Sequence, residues 1–377
     1  MSDLPSRADV VIIGGGAMGA STAFHLAAGG VGDVVLLERE TLASGSTSRS
    51  AGGARLQFAD ELNVRLSLRS LEDFERWDAL IAPHVEFVPD IAFRQVGYLF
   101  LLDTPELVAT FRAALAVQHV HGVPSRELTP AEATALVPQL ELDGILAATF
   151  CARDGHMSPE AVVQGYAAAA VARGARVLQA CPATGIEHRS GRITGVRTAR
   201  GTIATDTVVC AAGAWAAEVG AMAGVEIPVH GEPRHMWFSP ESGGVRDDVP
   251  LTIDFSTSFY FHREGPGIVF GGREAALEDV AEHALRRLPL VVDLPIQSSW
   301  WGYYEVSPDH NAIVGESSEP GRFLYATGFS GHGFQQAPAV GEHLAQLIRG
   351  ERPAYDLGAF SLERFARGER RAERFVV

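Results

Sequence analysis

The fold is decided by one stretch near the start of the chain, Val10-Val11-Ile12-Ile13-Gly14-Gly15-Gly16-Ala17-Met18-Gly19. The apolar run Asp9–Ile13 predicts a buried strand, and the composition of Ala20–Ala28 predicts a helix. Three glycines between them follow the spacing Gly-x-Gly-x-x-Gly: Gly14, Gly16 and Gly19. In order, such glycines allow a tight turn, the approach of a pyrophosphate and the packing of helix on strand. The N–H groups of Ala17 and Met18 are then expected to face the phosphates, with the helix dipole behind them.

A second apolar run, Asp33–Leu37, ends in Glu38, roughly 20 residues after the last glycine, where Rossmann folds place a ribose-binding acid. Its carboxylate can accept hydrogen bonds from ribose hydroxyls, and we include the adjacent Arg39 in the same predicted site. Strand, turn, helix and acid together predict a dinucleotide-binding site. The alternative is an ordinary tight turn whose glycines only pack.

The segment from Leu42 to Arg55 is long, rich in small residues and rich in hydroxyls. An NAD enzyme usually proceeds to its next strand at this point, whereas such a segment can lie along a longer ligand such as FAD. The alternative is a flexible surface loop. The residues expected to contact the cofactor here are Ser46, Thr47, Arg49, Ser50, Ala51, Gly52 and Gly53.

Four further segments complete an ordered set of motifs: Asp154–Pro159, Val208–Trp215, Tyr303–His310 and Gly328–Phe334. With the two N-terminal motifs, the chain resembles the D-amino-acid-oxidase-like superfamily of FAD amine oxidoreductases. Within it, the resemblance is to the branch of monomeric sarcosine oxidase and the β subunits of sarcosine oxidase and proline dehydrogenase complexes. It implies an FAD enzyme that oxidises the C–N bond of a small amino acid or secondary amine to an imine, by hydride transfer to flavin N5. It also implies cofactor contacts at Pro182, Ala183, Ala212, Gly213 and Trp215.

A second glycine-rich turn lies near the C-terminus. Arg322–Ala326 predicts a strand, Thr327–Phe334 a turn and Ala337–Ile348 a helix. In the resembled family this turn lies at the flavin pyrimidine edge, where a helix N-terminus stabilises the negative charge of the reduced ring. The alternative is a turn that only packs. The cofactor-binding residues expected here are Gly328, Gly331, His332, Gly333, Phe334 and Gln335.

If both ends of the chain share one flavin, the fold is of the α/β class with a discontinuous Rossmann-type FAD-binding domain. That domain would comprise residues 1–85, 150–225 and 305–377. A substrate-binding α+β domain would comprise residues 86–149 and 226–304. Strand-like composition over Ile91–Leu102 and Leu251–Gly271 predicts a mixed sheet that covers the flavin.

A carboxylate substrate in a partly dry pocket needs an arginine, which supplies charge and planar geometry together. Arg55 is the first candidate because it matches a carboxylate-binding arginine of sarcosine oxidase, and Arg49 is the competitor. Tyr304 matches an active-site tyrosine of the same relatives, with a packed core tyrosine as the alternative. His332 and His262 are candidates to assist amine deprotonation, although a histidine in a glycine turn more often only bonds the ring, so neither is assigned as the base.

Departures from the resembled family refine these expectations. The positions that attach FAD covalently in relatives align with Gly302 and Arg49, so non-covalent FAD is expected. A lysine that promotes reaction with O₂ aligns with Val269, which makes rapid use of O₂ doubtful and leaves O₂ or another electron acceptor open. A second lysine aligns with Gln335, which suggests a larger or less anionic substrate.

Composition excludes several other classes. The net charge of −15 disfavours nucleic acid, and the absence of lysine excludes Schiff-base chemistry on a lysine. No apolar run is long enough for a membrane span, and Met1–Ala8 lacks the pattern of a signal peptide, so a cytoplasmic location is expected. The three cysteines are expected to be buried thiols. Neither cysteine nor histidine spacing indicates a metal site.

Two other functions remain open at this level. One is a flavin-bearing assembly factor or non-catalytic subunit of a heteromeric complex, and the other is an NAD dehydrogenase that uses only the first motif. A homo- or hetero-oligomer is possible under each of them.

Overall fold

The computed structural model describes residues 4–376 of the chain. Within that range the α-helices, numbered in chain order, are α1 Ala17–Ala28, α2 Glu61–Glu75, α3 Trp77–Ile81, α4 Pro105–Val120, α5 Pro130–Leu136, α6 Pro159–Ala172, α7 Ala216–Met222, α8 Leu277–Arg287, α9 Gly333–Ile348 and α10 Glu363–Ala366. The strands are β1 Val10–Ile13, β2 Val34–Leu37, β3 Gly53–Ala54, β4 Tyr98–Leu102, β5 Arg126–Leu128, β6 Ala147–Cys151, β7 Gly155–His156, β8 Arg176–Leu178, β9 Ala183–Arg189, β10 Arg192–Thr198, β11 Gly201–Ala204, β12 Val208–Cys210, β13 His230–Ser239, β14 Leu251–Asp254, β15 Tyr260–Glu264, β16 Gly267–Gly272, β17 Ser298–Val306, β18 Ile313–Glu316 and β19 Phe323–Thr327.

A six-stranded sheet with the order β18-β19-β12-β1-β2-β8 forms the centre of the first layer. All its pairings are parallel except that of the edge strand β18 with β19. Strands β1 and β2 are buried throughout, as expected for a parallel sheet covered on both faces. Helices α1, α6 and α9 pack together on one face. The predicted Rossmann-type α/β fold is therefore confirmed.

An eight-stranded sheet with the order β17-β13-β16-β15-β14-β4-β6-β5 forms the second large layer. It is mixed, because β14 pairs with β4 in parallel while its other pairings are antiparallel. Both predicted strand regions contribute to it, but the stretch from 91 to 97 is not a strand. Positive φ angles at Ala92 and Gly97 interrupt the extended backbone, so β4 begins only at Tyr98.

The strands of the six-stranded sheet all fall within the segments predicted for the FAD-binding domain. In the eight-stranded sheet, β6 crosses the predicted boundary at residue 150 and β17 crosses the one at residue 305. The division into two domains stays a prediction. The described residues also form two smaller sheets, β9–β11 and the pair β3 and β7.

The three cysteines are free and buried, as predicted: Cys151, Cys181 and Cys210. No helix within residues 4–376 combines the length and the apolar character needed to cross a lipid bilayer.

Candidate functional site

The two glycine turns open onto the same cavity, which has a volume of about 580 Å³. The turn at Gly14–Gly16 lines one part of it and the turn at Gly331–Gly333 lines another. The volume lies within the usual range of small-molecule sites, about 300–1,000 Å³. Residues more than 300 positions apart in the sequence therefore share one concave surface.

The N-terminal turn is held by main-chain packing. A Cβ at Gly14, where φ is +116°, would lie 2.3 Å from the carbonyl oxygen of Ala211. A Cβ at Gly19 would lie 1.9 Å from the carbonyl oxygen of Gly14, so Gly19 brings α1 against the turn. Gly16 precedes α1, and the first two helical residues, Ala17 and Met18, line the cavity. The N–H of Ala17 donates to Oγ1 of Thr47 at 3.3 Å, so a phosphate here would share that donor or displace the hydroxyl.

Glu38 lies beside this turn and is held by it. Its carboxylate accepts hydrogen bonds from Gly15 N and Glu40 N, each at 2.8 Å. Next to it, the guanidinium of Arg39 stacks 3.9 Å from the ring centre of Trp215. Each carboxylate oxygen keeps a lone pair for a ligand hydroxyl, so this end of the cavity suits a ribose.

The residues predicted to contact the cofactor that line this cavity are Gly14, Gly16, Ala17, Met18, Glu38, Arg39, Ser46, Thr47, Arg49, Ser50, Ala51, Gly52, Gly53, Pro182, Ala183, Ala212, Gly213, Trp215, Gly331, His332, Gly333, Phe334 and Gln335. Two others, Gly19 and Gly328, lie behind the cavity wall. Gly328 adopts a φ of +72° and packs against Ser307, so its position serves the turn rather than a ligand contact.

The C-terminal turn is shaped by side chains. At Gly331, where φ is +99°, an added Cβ would lie 2.3 Å from Cε2 of Tyr304, so the tyrosine ring covers the turn. Helix α9 begins at Gly333 without a side-chain cap, and its first three residues, Gly333, Phe334 and Gln335, line the cavity. This is the arrangement that stabilises negative charge on a ligand.

His332 lies between the turn and α9 with only 4% of its surface exposed. Burial, with Arg55 nearby, holds the pKa of His332 well below its usual value, so the ring is neutral at pH 7. A neutral imidazole of such low basicity is a poor proton acceptor. His262 does not line the cavity at all; it is buried against His156, with ring centres 4.3 Å apart.

Arg55 lines the cavity, but its side chain also makes hydrogen bonds and a ring contact within the protein. Its guanidinium donates to the backbone oxygens of Gln57 and Phe375 and stacks 3.9 Å from the ring centre of Phe58. Its backbone N–H donates to the side chain of Gln335 in the C-terminal turn. Arg55 therefore joins the chain's last described residues to the cofactor-facing wall.

The eight-stranded sheet contributes side chains that the sequence did not single out: Tyr98, Arg234, Met236 and Tyr260. They line the cavity with Tyr304, from alternate positions of neighbouring strands. Burial raises the pKa values of Tyr260 and Tyr304, so both hydroxyls stay protonated. Period-two alternation was the available signal, but it does not say which face of a strand meets a cavity.

Glu305 lies within the motif Tyr303–His310, but the sequence assigned it no role. It lines the cavity and accepts hydrogen bonds from Thr327 Oγ1 at 3.1 Å and from Phe329 N at 3.4 Å. Burial raises the pKa of the Glu305 carboxyl to about 7, against the effect of these hydrogen bonds. The group therefore changes charge close to neutral pH.

The two positions aligned with covalent flavin attachment face each other. A Cβ at Gly302 would lie 2.8 Å from Cβ of Arg49, and both residues line the cavity. Glycine and arginine provide no nucleophilic atom for a covalent bond to a flavin.

The family model described as FAD dependent oxidoreductase matches residues 9–347. The chain belongs to this family. The family assignment confirms the resemblance seen in the sequence and the FAD cofactor, and it removes the alternative of an NAD dehydrogenase. The cavity fits FAD, because two helix N-termini, a ribose-accepting carboxylate and a second glycine turn border one space.

Similar proteins include FAD-dependent oxidoreductase domain-containing protein 1 of Bos taurus, which is 30% identical over 99% of this chain and 88% of that protein. The mitochondrial sarcosine dehydrogenase of Mus musculus is 31% identical over 96% of this chain. The chain spans only 42% of that relative's length. Among solved structures, L-proline dehydrogenase from P. horikoshii superimposes with a TM-score of 0.90 at 34% identity, covering 98% of this chain and all of the other.

Proposed function

We propose that this family member oxidises the C–N bond of a small amino acid or secondary amine to an imine, which water then hydrolyses. The observation that supports the proposal is the single cavity bordered by both glycine turns and closed by a wall of tyrosine and arginine side chains. Similar proteins named as sarcosine and L-proline dehydrogenases add support. The substrate would be sarcosine-, proline-, glycine- or D-amino-acid-like.

FAD, when bound, supplies the acceptor for the two electrons released from the amine. In the proposed arrangement the N–H groups at the start of α1 hold the pyrophosphate, and Glu38 accepts from the ribose. The start of α9 provides donors for the pyrimidine edge. Gly302 and Arg49 favour non-covalent binding, since neither side chain offers an attachment atom.

In this proposal the other residues of the cavity orient the amine and exclude water. Tyr304 and Arg55 contribute to the substrate wall, while His332 is a neutral neighbour of the ring rather than the base. The amine must therefore react as the free base, with its proton released to solvent. Positioning the reacting carbon in a closed site accounts for most of the expected rate gain.

The test is an anaerobic spectrum of the purified FAD-loaded protein, mixed under argon with sarcosine, L-proline, glycine and a panel of D-amino acids. At least one compound should bleach the flavin band. Release of the yellow chromophore by acid precipitation would support non-covalent FAD. A flavin that none of these amines reduces, in a protein that co-purifies with partners, would instead favour an assembly factor or a non-catalytic subunit.

Admitting air after reduction identifies the acceptor. Because Val269 lies where the resembled family has a lysine, we expect slow reoxidation by O₂ and faster reoxidation by an artificial dye. The two-domain division, the cytoplasmic location and the oligomeric state all stay predictions.

A further inference from the structure

A short segment after α10, residues 373–376, brings an apolar residue to the wall of the cavity. The segment contains neither helix nor strand, and the sequence assigned its residues no role in the site. Val376 lines the cavity and is half-buried there. A wall residue that comes from outside both large sheets must be held in place by its own contacts.

Two buried side chains of the segment provide those contacts. The Glu373 carboxylate, only 2% exposed, accepts hydrogen bonds from Asp60 N at 3.1 Å and from Asn63 Nδ2 at 2.9 Å. Phe375 is fully buried and stacks on Phe111 of α4, with ring centres 3.9 Å apart. Removing either side chain from its place would leave buried donors without a partner or expose an aromatic ring. The position of the next residue in the chain is therefore fixed.

Two arginines show which end of the cavity Val376 lines. Arg55, itself a lining residue, donates a hydrogen bond to Phe375 O, and Arg273 donates one to Val376 O at 3.4 Å. Burial raises the pKa of the Tyr304 hydroxyl, and the charges of both arginines act against that rise, so both guanidinium groups lie near this hydroxyl. Val376 therefore lies at the Tyr304 end of the cavity, where the C-terminal glycine turn is also found.

The sheet presents apolar side chains at the same end. Leu251 and Ile253 of β14 line the cavity and are both buried. Leu251 pairs with Tyr98 of β4 and Ile253 with Tyr260 of β15, so the four side chains lie on one face of the sheet. Phe375 belongs to the same hydrophobic cluster. The residue that follows Phe375 extends this apolar surface along the cavity wall.

Such a wall selects its ligand by hydrophobic contact. Methylene groups of a ligand gain by leaving water against Leu251, Ile253 and Val376, whereas a charged group there would lose its hydration without gaining a partner. Because the stacking of Phe375 fixes the backbone at Val376, the size of this one side chain limits the space that remains.

We propose that Leu251, Ile253 and Val376 form an apolar subsite for the side chain of the substrate, and that Val376 determines how large that side chain can be. The inference rests on the proposed function and narrows its substrate class to amino acids or amines with an apolar side chain or ring. Glycine and sarcosine, which carry no side chain, would leave the subsite unfilled.

The test measures the binding of carboxylates that the flavin cannot oxidise: acetate, propionate, butyrate and succinate. Their dissociation constants are obtained from the flavin absorbance shift of the FAD-loaded protein. From acetate to butyrate, each added methylene should tighten wild-type binding by about three- to fivefold. Succinate, which has the length of butyrate but a second charge at its far end, should bind more weakly than butyrate.

Variants of Val376 make the result specific. Val376→Ala should weaken butyrate by about two- to fivefold and leave acetate unchanged, because only the longer chain reaches the removed methyl groups. Val376→Phe should fill the subsite, so that butyrate binds no better than acetate. Val120→Phe, at an 82% exposed residue of α4, is the matched control and should behave as wild type.

The proposal is overturned if wild type binds none of these carboxylates or binds them all equally well. It is also overturned if the gain per methylene is the same in wild type, Val376→Ala and Val376→Phe. If Val376→Phe does not retain FAD, Val376→Ala decides: a smaller gain per methylene supports the proposal, and an unchanged gain overturns it. Since carboxylate binding needs no turnover, failure of every amine to reduce the wild-type flavin would refute the proposed function separately.

Discussion

The two glycine turns line the same cavity, but different neighbouring atoms make glycine necessary in each. At the N-terminal turn, Gly14 and Gly19 are required because main-chain oxygens occupy the space of a side chain. At the C-terminal turn, Gly331 and Gly333 make room for the rings of Tyr304 and Phe329. The first turn is thus fixed by the backbone of the α/β core, whereas the second is fitted to the side chains of the substrate wall.

The largest effect should come from the N-terminal turn. In Gly19→Ala the new Cβ would lie 1.9 Å from Gly14 O. This clash can be relieved only if α1 moves away from the turn. We expect a loss of about 1–3 kcal/mol in the free energy of unfolding, together with complete loss of FAD. FAD content after gel filtration and the melting temperature measure both effects.

Gly32→Ala is the matched control, because its Cβ would make only an ordinary 3.6 Å contact with Asp9. It should keep full FAD content. A Gly19→Ala protein that retains stoichiometric FAD would refute the backbone-packing explanation.

A smaller and different effect is expected at the C-terminal turn. Gly331→Ala forces alanine to a φ of +99° and presses on the Tyr304 ring, a strain of about 1–3 kcal/mol. The protein should keep FAD but be reduced about 10- to 100-fold more slowly by its amine, as stopped-flow absorbance would show.

Gly321→Ala, whose Cβ would come no closer than 3.9 Å to Gly191 O, serves as its control. If Gly331→Ala lost FAD as completely as Gly19→Ala, the proposed difference between the turns would not exist.

The next prediction concerns pH. The folded-state pKa of Glu305 is about 7, above its unfolded value, so the protonated carboxyl stabilises the fold. This stability is fully present below about pH 4.5 and is lost as pH rises through 7, at most about 3 kcal/mol from this group. Urea unfolding at pH 5 and pH 8 measures this contribution as the difference between wild type and Glu305→Gln. Burial lowers the pKa values of His262, His332 and His343, which makes both proteins more stable as pH rises from 5 towards 6.5.

Glu305→Gln should gain stability relative to wild type as pH rises from 5 to 8. Burial also raises the pKa of Asp154 to about 7, which contributes a loss of the same sign. Asp154→Asn therefore serves as a parallel variant, and the double variant should gain more stability relative to wild type over this range than either single variant does. An unchanged pH dependence in Glu305→Gln would contradict the assignment.

The smallest effect is expected at Arg39, at the edge of the part of the cavity that the N-terminal turn lines. Arg39 stacks on Trp215 at a partly exposed position, where a cation–π contact contributes about 0.5–1 kcal/mol. Arg39→Met should raise the dissociation constant of FAD by about 2- to 5-fold in a fluorescence titration. Arg76→Met, at an exposed residue directly after α2, should have no effect, and an equal change in both variants would exclude a local role.

The sequence was sufficient where structure is local. Strand, glycine turn and helix follow one another within 20 residues at Asp9–Ala28, so spacing alone indicates the element types and their order. Local composition likewise predicted the strand, turn and helix around Gly331 and most of the strands that form the mixed sheet. The family resemblance added FAD, which the local pattern alone left open.

The sequence was insufficient where function depends on packing between distant strands. Arg234 occurs in a strand whose cavity-facing side is set by its pairing with β17, about 70 residues away. His262 was considered for the active site but lies outside the cavity lining, because its face of β15 packs on His156. Alternation identifies two faces of a strand without identifying their neighbours.

The most direct measurement is a crystal structure of the protein loaded with FAD. The account predicts the pyrophosphate within hydrogen-bond distance of the N–H groups of Ala17 and Met18. It places the pyrimidine edge of the same FAD against the N–H groups that begin α9. An isoalloxazine ring bound away from Gly331–Gly333 would contradict it.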